Sequence, residues 1–239
     1  MRNSFAGLVV FLLAGFISGQ AGAAAIGTVV ATYGTASATG PGGNRPLTGG
    51  SSVFEQDKIT VGPGNAQILL LDGTKLVVGP GSALVLDKYL LKGAVAQNVS
   101  VDALRGTFRF ITGKSPKSAY NIETTNAVIG IRGTGFDFWV ADRTGVALLV
   151  GNVQLCSKTG AKSCVDLQPN CSIGVAGDAN TARKLAGVEK TAVIGRRLPY
   201  LINQTSLRTQ FRLNTTSCEK DLPQDPSSHD APQGGRKRG

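Results

Sequence analysis

Apolar and polar residues alternate with a period of two from Gly27 to about Val175, and Gly, Pro, Asn and Asp interrupt the alternation at short intervals. The pair Asp72-Gly73 separates the apolar runs Ala66–Leu71 and Lys75–Val78. Asp-Gly is a strong hairpin signal because both residues tolerate a positive φ. No stretch before residue 180 has a helical period. The pattern predicts an all-β fold, either solenoid-like or built on a twisted β-sheet.

The tetrapeptide Val-Gly-Pro-Gly occurs twice, at Val61–Gly64 and at Val78–Gly81. Each copy precedes an apolar stretch of strand character. Two copies of one turn sequence suggest that successive coils of the chain stack on one another, as in a solenoid.

The stretch Asn126–Val140 (NAVIGIRGTGFDFWV) places three glycines in a run of β-branched and aromatic residues. We expect two strands joined by a kink that needs unusual backbone angles or a close approach.

Arg132, at the centre of this stretch, has two interpretations. In the structural interpretation, its guanidinium pairs with a carboxylate such as Asp137 or Glu123, or with backbone carbonyls. In the functional interpretation, it is presented to an anionic ligand. The structural role is favoured, because a buried arginine requires paired donors.

The character of the chain changes after Asp178. Pro199 suits the first turn of a helix, and Tyr200–Leu213 is predicted to be one helix. Segment 179–218 is therefore expected to be a basic segment with a short helix. Residues 219–239 are rich in Pro, Gln, Ser, Asp and Gly, which is typical of a disordered tail.

Charge is unevenly distributed. The net charge is +10, and Thr181–Cys218 holds 7 Lys or Arg residues against 1 acidic residue. Such a segment favours contact with anionic lipid or an anionic polymer, although a solvated basic face is the simpler alternative. The residues predicted to make anionic contacts are Arg183, Lys184, Arg196, Arg197, Arg208 and Arg212.

Residues 1–25 have the pattern of a signal peptide: Arg2, an apolar region at Phe5–Ile17, and small residues at Ser18–Ala25. The apolar region is shorter than the roughly 20 residues that span a membrane. We expect export to the periplasm or beyond, with cleavage and no transmembrane helix afterwards. An uncleaved anchor is the alternative.

Four cysteines in an exported chain indicate two disulfides, with three possible connectivities. If Cys156 and Cys164 flank a tight turn, then Cys171 and Cys218 are left to tie the C-terminal segment to the domain. Metal binding is the competing use, but the spacings fit no zinc pattern well and the one histidine, His229, is in the polar tail.

Nothing in the sequence assembles a catalytic or cofactor site. No triad is possible without a histidine outside the tail. Gly113-Lys114-Ser115 lacks the first glycine of a P-loop, and Gly130–Gly135 is followed by a strand where a dinucleotide motif needs a helix. We expect no enzyme activity, no cofactor and no metal. A hydrolase that uses two convergent carboxylates is the remaining alternative.

An ordered series of motifs resembles the FecR domain family over roughly Ile26–Val175. The matching pieces are Asp57-Lys-Ile-Thr-Val-Gly, Ala66-x-Ile-Leu-Leu-Leu-Asp72-Gly-Thr-Lys-Leu, Leu104-Arg-Gly-Thr-Phe-Arg, Ile122-x-Thr-Thr and Gly130-Ile131-Arg132-Gly133-Thr134-x-Phe136. The resemblance implies an all-β, solenoid-like periplasmic domain. In the founding members this domain belongs to a single-span regulator that passes an iron-siderophore signal from an outer-membrane transporter to a cytoplasmic sigma factor.

The sequence departs from that family pattern because only four residues precede the apolar region, so control of a sigma factor is not expected. The predicted organisation is a FecR-like domain at 26–178, exported on its own. We expect a non-enzymatic interaction or signalling module that binds an envelope partner, either a protein or a polymer, rather than nucleic acid. The alternative is a structural envelope protein that docks on anionic lipid or glycan through its basic segment.

Overall fold

The computed structural model of this protein describes residues 23–158, 163–178 and 181–223. Most of the predicted signal peptide lies outside these residues, and so does most of the predicted loop at 158–162. No helix in the described ranges has the length and apolar character needed to cross a membrane.

Fifteen strands form one continuous hydrogen-bonded sheet, as the period of two predicts. All strand pairs are antiparallel except β7 with β8, which is parallel. The strands are β1 (Ala25–Gly40), β2 (Gly43–Pro46), β3 (Ser52–Phe54), β4 (Lys58–Leu70), β5 (Lys75–Val78), β6 (Ala83–Lys92), β7 (Val95–Ile111), β8 (Tyr120–Thr124), β9 (Ala127–Ile131), β10 (Gly135–Val140), β11 (Thr144–Val150), β12 (Val153–Ser157), β13 (Cys164–Leu167), β14 (Ile173–Asp178) and β15 (Thr181–Lys184).

Three long strands fold the sheet into two layers because their halves have different partners. In β7, Val99–Ala103 pairs with β8, whereas Gly106–Ile111 pairs with β10. β1 and β4 change partners in the same way. The first layer contains β3, β5, β10, β11, β14 and β15, the second contains β2, β6, β8, β9, β12 and β13, and β1, β4 and β7 run through both.

The bend of β1 and β4 occurs where two glycines face each other. Gly34 and Gly64 have φ values of 74° and 105°. A Cβ on Gly64 would lie 1.9 Å from the carbonyl oxygen of Tyr33. Only a residue without a side chain allows the two backbones to approach this closely.

The two Val-Gly-Pro-Gly copies lie side by side. The backbone N–H of Gly81 donates to the carbonyl of Gly62 at 3.0 Å, and that of Val61 donates to Ser82 at 2.9 Å. The first copy lies within β4, and the second connects β5 to β6, so these contacts continue the antiparallel pairing of β4 with β5 and β6. They do not show the stacked coils that the repeat suggests.

One apolar core fills the space between the layers. Four phenylalanines of β7 and β10 contribute to it, and all four are fully buried. Phe108 stacks on Phe138 with ring centroids 4.8 Å apart, and Phe110 stacks on Phe136 at 5.7 Å. These cross-strand aromatic pairs fix the register of the two strands.

The predicted helix Tyr200–Leu213 is wrong in its extent. Helix α1 spans Gly187–Arg197, and α2 spans only Pro199–Ile202, with Pro199 in its first turn as predicted. The Asn203 side-chain oxygen accepts from the backbone N–H of Thr205 at 2.8 Å, which is an Asx turn that competes with the helix. Short 3-10 turns follow at Thr209–Phe211 and Thr216–Asp221.

The predicted disordered tail begins too early. Glu219–Pro223 belong to the described structure: Leu222 packs on a buried cluster that contains Trp139 and Ile194, and the Lys190 ammonium lies 2.6 Å from the Asp221 carboxylate. The rest of the predicted tail, residues 224–239, lies outside the described residues.

The predicted hairpin at Asp72-Gly73 is present, but of the two residues only Gly73 has a positive φ, at 86°. Asp72 instead has a capping role. Its carboxylate is buried and accepts hydrogen bonds from Ser115 at 2.7 Å, Thr74 at 2.8 Å and Tyr120 at 3.1 Å. Burial alone would raise the pKa of this carboxyl, but these donors outweigh it and leave the pKa lowered.

The lowered pKa makes the contribution of Asp72 to stability dependent on pH. A carboxyl whose pKa is depressed by folding stabilises the native state above its unfolded pKa, and this contribution is lost as the pH falls through the folded pKa. We expect Asp72→Asn to be less stable than the parent protein at pH 6, with the difference narrowing below about pH 4. Urea unfolding at pH 6 and pH 3 measures this, and a difference that is constant with pH would contradict it.

Candidate interaction surfaces

The stretch Asn126–Val140 forms two strands with a kink between them, as predicted. β9 and β10 are not paired with each other, since β9 pairs with β8 and β12 whereas β10 pairs with β7 and β11. The kink is made at Gly133, whose φ is 76°. The chain therefore crosses from the second layer to the first at this point.

The structural role predicted for Arg132 needs correction. Arg132 is exposed, and its guanidinium has no hydrogen bond or ion pair with any described residue. Its expected partners are taken: Asp137 pairs with Arg109, and Glu123 pairs with Lys158. The other motif residues are built into the fold, and Thr134 exchanges hydrogen bonds with Thr112 while Phe136 is in the core. Gly130 and Ile131 belong to β9.

The buried arginine of this region is Arg109. It is opposite Asp137 in the ladder between β7 and β10, and both side chains are fully buried. The guanidinium bonds both carboxylate oxygens, at 2.6 and 2.9 Å. This bidentate geometry is the strongest that an arginine and a carboxylate form.

The remaining donors of Arg109 bind the C-terminal segment. They contact the side-chain oxygen of Gln204 and the carbonyls of Tyr200, at 3.1 Å, and Phe211, at 3.3 Å. Burial raises the pKa of the Tyr200 phenol, and the negative charge of Asp137 adds to this effect. One ion pair thus joins two strands and the segment that packs on them.

Two matching tripeptides could have revealed this pair in the sequence. Phe108-Arg109-Phe110 and Phe136-Asp137-Phe138 place opposite charges at the centre of two apolar strands. A charge in such a position is rarely buried unless it is paired. The alternation along β7 places Arg109 on the face opposite Phe108 and Phe110, but it does not identify Asp137 as the partner.

The four cysteines form two disulfides, Cys156–Cys164 and Cys171–Cys218. The first joins directly opposite residues of β12 and β13. The second ties β14 and the chain before it to the last 3-10 turn. Of the three possible connectivities, the structure has the one that pairs Cys156 with Cys164 in adjacent strands. The Cys171–Cys218 bond then anchors the C-terminal segment.

The C-terminal segment, residues 185–223, packs on the outer side of the first layer. Trp139, Ala147 and Val175 of the sheet form one buried cluster with Ile194 and Leu201 of the helices. A second cluster joins Val77 of β5 to Tyr200, Leu207 and Phe211. We call this side of the sheet the covered face.

All six residues predicted for anionic contacts are exposed. Their surroundings differ. Arg183 makes two hydrogen bonds to Glu189, at 2.7 and 2.9 Å, and Arg212 donates to the carbonyls of Leu207 and Thr205. Lys184 donates to the carbonyl of Gln168 at 3.3 Å. The side chains of Arg196, Arg197 and Arg208 form no ion pair with the described part of the chain.

The outer side of the second layer is at least partly exposed in the described part of the chain, and we call it the open face. Its side chains alternate with core residues along β6, β7, β8, β9 and β12, and each of those named below is partly or fully exposed. Leu90 and Leu104 are 54% and 41% exposed, although large apolar side chains of this kind usually lie inside. The residues that define the open face are Lys58, Val85, Leu90, Asp102, Leu104, Glu123, Val128 and Gln154.

A cleft of about 220 Å³ on the open face is lined by Asp102, Leu104, Glu123 and Lys158, among others. Burial raises the pKa of Asp102, and the charges of Asp87 and Glu123 add to the shift. Hydrogen bonds from Lys158 and Asn121 lower the pKa of Glu123. Asp102 and Glu123 thus line one cleft as neighbours in the parallel ladder between β7 and β8, and Glu123 is held in an ion pair with Lys158.

No group of three or more His, Cys, Asp or Glu side chains is arranged to hold a metal ion within residues 23–158, 163–178 and 181–223.

One family model matches the part of the chain that carries most of the motifs. A family model described as FecR protein matches residues 57–154, from the end of the β3–β4 turn to β12. No curated protein sequence matches the chain. Two crystal structures of a candidate anti-sigma factor from Parabacteroides distasonis are similar to it with TM-scores of 0.43 and 0.44, at 17% and 16% identity.

These two alignments cover 57% and 58% of this chain, and 62% and 63% of the Parabacteroides chains. The chain thus spans less than two thirds of those proteins. The matched residues 57–154 contain the Asp72 turn, the Arg109–Asp137 pair and the Gly130–Phe136 motif. This part of the chain is similar to the FecR family, as the ordered motifs indicate.

Proposed function

We propose that the protein is an exported, non-enzymatic interaction module that binds a protein of the bacterial envelope through its open face. One observation carries the proposal: of the two outer faces, the C-terminal segment covers one, whereas the open face keeps two exposed leucines among charged side chains. Exposed apolar groups surrounded by polar ones are typical of a contact surface.

Export is supported by the two disulfides, because such bonds persist in oxidising compartments. The FecR family match supports a role in protein contact, since the family resemblance implies a module that passes a signal between proteins. The edge strand β2 is a poor template for pairing with a partner strand. It is four residues long and ends at Pro46, which lacks an N–H donor.

Substitutions on the two outer sides test the proposal. Leu90→Arg with Leu104→Arg places two bulky charges on the open face. Val188→Arg with Ile202→Arg is the matched control, because those apolar residues are 88% and 51% exposed on the C-terminal segment. Crosslinking and pull-down from envelope fractions with the parent protein identify the partner, and its affinity for each variant is then measured.

We expect the open-face variant to bind at least about tenfold more weakly and the control to bind like the parent, with both melting near the parent temperature. Loss of partner binding in the control variant alone, or in neither variant, would contradict the proposal. Deleting everything after Asp178 is not a clean test, because that deletion uncovers Trp139 and Arg109.

Docking on anionic lipid or glycan through the basic segment is the second candidate function. It is supported by the exposure of all six predicted cations in a segment with one acidic residue. The two candidates differ in their response to salt, since docking by charge weakens steeply as ionic strength rises whereas a partly apolar contact persists.

A further inference from the structure

A small cleft opens between helix α1 and the turn that joins β10 to β11. Its volume is about 220 Å³. The turn contributes Asp142 and Arg143, and β10 contributes Trp139. The helix contributes Glu189, Ala192, Val193, Arg196 and Arg197. The cleft lies between the first layer and the C-terminal segment, so it shares no residue with the open face.

Trp139 forms part of the inner wall of the cleft, where its side chain is only 2% exposed. Trp139 is paired with Gly145 across β10 and β11. A Cβ on Gly145 would lie 1.9 Å from the indole ring, so the ring occupies the space that a side chain would take. Ala192 and Val193 of α1 complete the apolar lining.

The rim of the cleft is rich in guanidinium groups. Arg143, Arg196 and Arg197 face it together with the carboxylates of Asp142 and Glu189. Glu189 accepts both Arg183 bonds from outside the cleft, and it also pairs with Arg143 of the rim at 3.5 Å. Positive charge therefore exceeds negative charge around the opening.

Arg196 and Arg197 both line the cleft. Both are exposed at the end of α1, and neither side chain forms an ion pair with a described residue. Guanidinium forks match the oxygens of a phosphate, and hydrogen bonds to a charged group are stronger than neutral ones. The volume is below the roughly 300–1,000 Å³ of pockets that take drug-sized ligands, so the cleft suits a small group.

We infer that this cleft binds a phosphate group carried on a small, partly apolar body, with Arg196 and Arg197 holding the phosphate and Trp139 contacting the body. The inference does not depend on the open face, so either proposal can fail without the other. The phosphate can belong to a soluble ester or to a lipid headgroup, and the probes below separate these sources.

Trp139 supplies the readout because it is the only tryptophan in the chain. The mature protein is titrated with glycerol 3-phosphate, and glycerol serves as the uncharged control. In parallel it is mixed with phosphatidylglycerol vesicles and with phosphatidylcholine vesicles. Indole fluorescence and equilibrium dialysis report binding to the soluble probe, and sedimentation with the vesicles reports binding to lipid.

The test variant is Arg196→Gln with Arg197→Gln. The matched control is Lys88→Gln with Arg208→Gln, which removes the same charge from exposed positions outside the cleft. We expect the test variant to weaken binding by about tenfold or more and the control to leave it unchanged. Melting temperatures near that of the parent show that both variants are folded.

If the parent protein binds glycerol 3-phosphate saturably and the test variant does not, the phosphate belongs to a soluble ester. Binding only to phosphatidylglycerol vesicles, lost in the test variant alone, supports a lipid headgroup. Two results would overturn the inference: no saturable response to either probe at low salt, or equal weakening in both variants, which would indicate diffuse attraction by net charge.

Discussion

Replacing Arg109 with alanine is expected to lower the free energy of unfolding by about 3–5 kcal/mol, because the change leaves the Asp137 carboxylate buried without its partner. The Gln204 side chain and the carbonyls of Tyr200 and Phe211 lose their donor as well. Urea unfolding at neutral pH, followed by circular dichroism, measures the effect.

Arg132→Ala is the matched control, because Arg132 is exposed in the neighbouring family motif and we expect a change within about 0.5 kcal/mol. The double variant Arg109→Met with Asp137→Leu is expected to be more stable than Arg109→Met alone, since it leaves no unpaired buried charge. A loss below about 1 kcal/mol for Arg109→Ala, or a larger loss for Arg132→Ala, would contradict the assigned roles of the two arginines.

Removing the Cys171–Cys218 disulfide by serine substitution at both positions is expected to lower stability by about 4 kcal/mol. The bond closes a loop with a sequence separation of 47 residues and holds the C-terminal segment against the covered face. Cross-linking restricts the unfolded chain, and the restriction grows with loop length.

The Cys156–Cys164 pair supplies the comparison, because it closes a separation of only 8 residues and its removal is expected to lower stability by about 2.5 kcal/mol. Thermal unfolding with and without reductant, followed by indole fluorescence, ranks the two double-serine variants. Trp139 lies under the C-terminal segment, so loss of the long-range bond is also expected to shift its emission. Equal losses, or a larger loss for the short loop, would show that loop length does not govern these bonds.

The C-terminal segment is part of the fold. The basic composition of 179–218 suggests an appendage that is free to dock elsewhere. Its apolar residues, among them Ile194, Leu201 and Phe211, instead complete two buried clusters with the sheet. The charged residues between them remain on the outside, so one segment covers the sheet and presents cations to solvent.

Local sequence signals were sufficient to predict the strands and most of the turns. The period of two, the Asp72-Gly73 hairpin and the repeated Val-Gly-Pro-Gly are properties of a few adjacent residues, and the conformation follows from sterics and side-chain alternation. The ordered motifs carried the family resemblance for the same reason. The turn at Asp72 shows the limit of such signals, because its buried donors come from Ser115 and Tyr120 far along the chain.

The helices were harder to predict because α1 has no strong local signal. Gly187–Arg197 contains Gly195 and several β-branched residues, which lower helix propensity, and its burial against the sheet stabilises it instead. The stretch after Ile202 has a helical pattern, but Gln204 and Leu213 bond each other at 2.9 and 3.0 Å and hold it in another conformation.

The amino-acid order alone accounts for an all-β domain that resembles the FecR family, with two disulfides, a basic C-terminal segment and few groups suited to catalysis, because these follow from composition and short-range pattern. The tertiary structure decided which arginine is buried, which cysteines pair, and which face of the sheet stays open. Each of those depends on contacts between residues far apart in the chain, such as Arg109 with Asp137 and Cys171 with Cys218. No local pattern specifies such contacts until the layers fold onto one another.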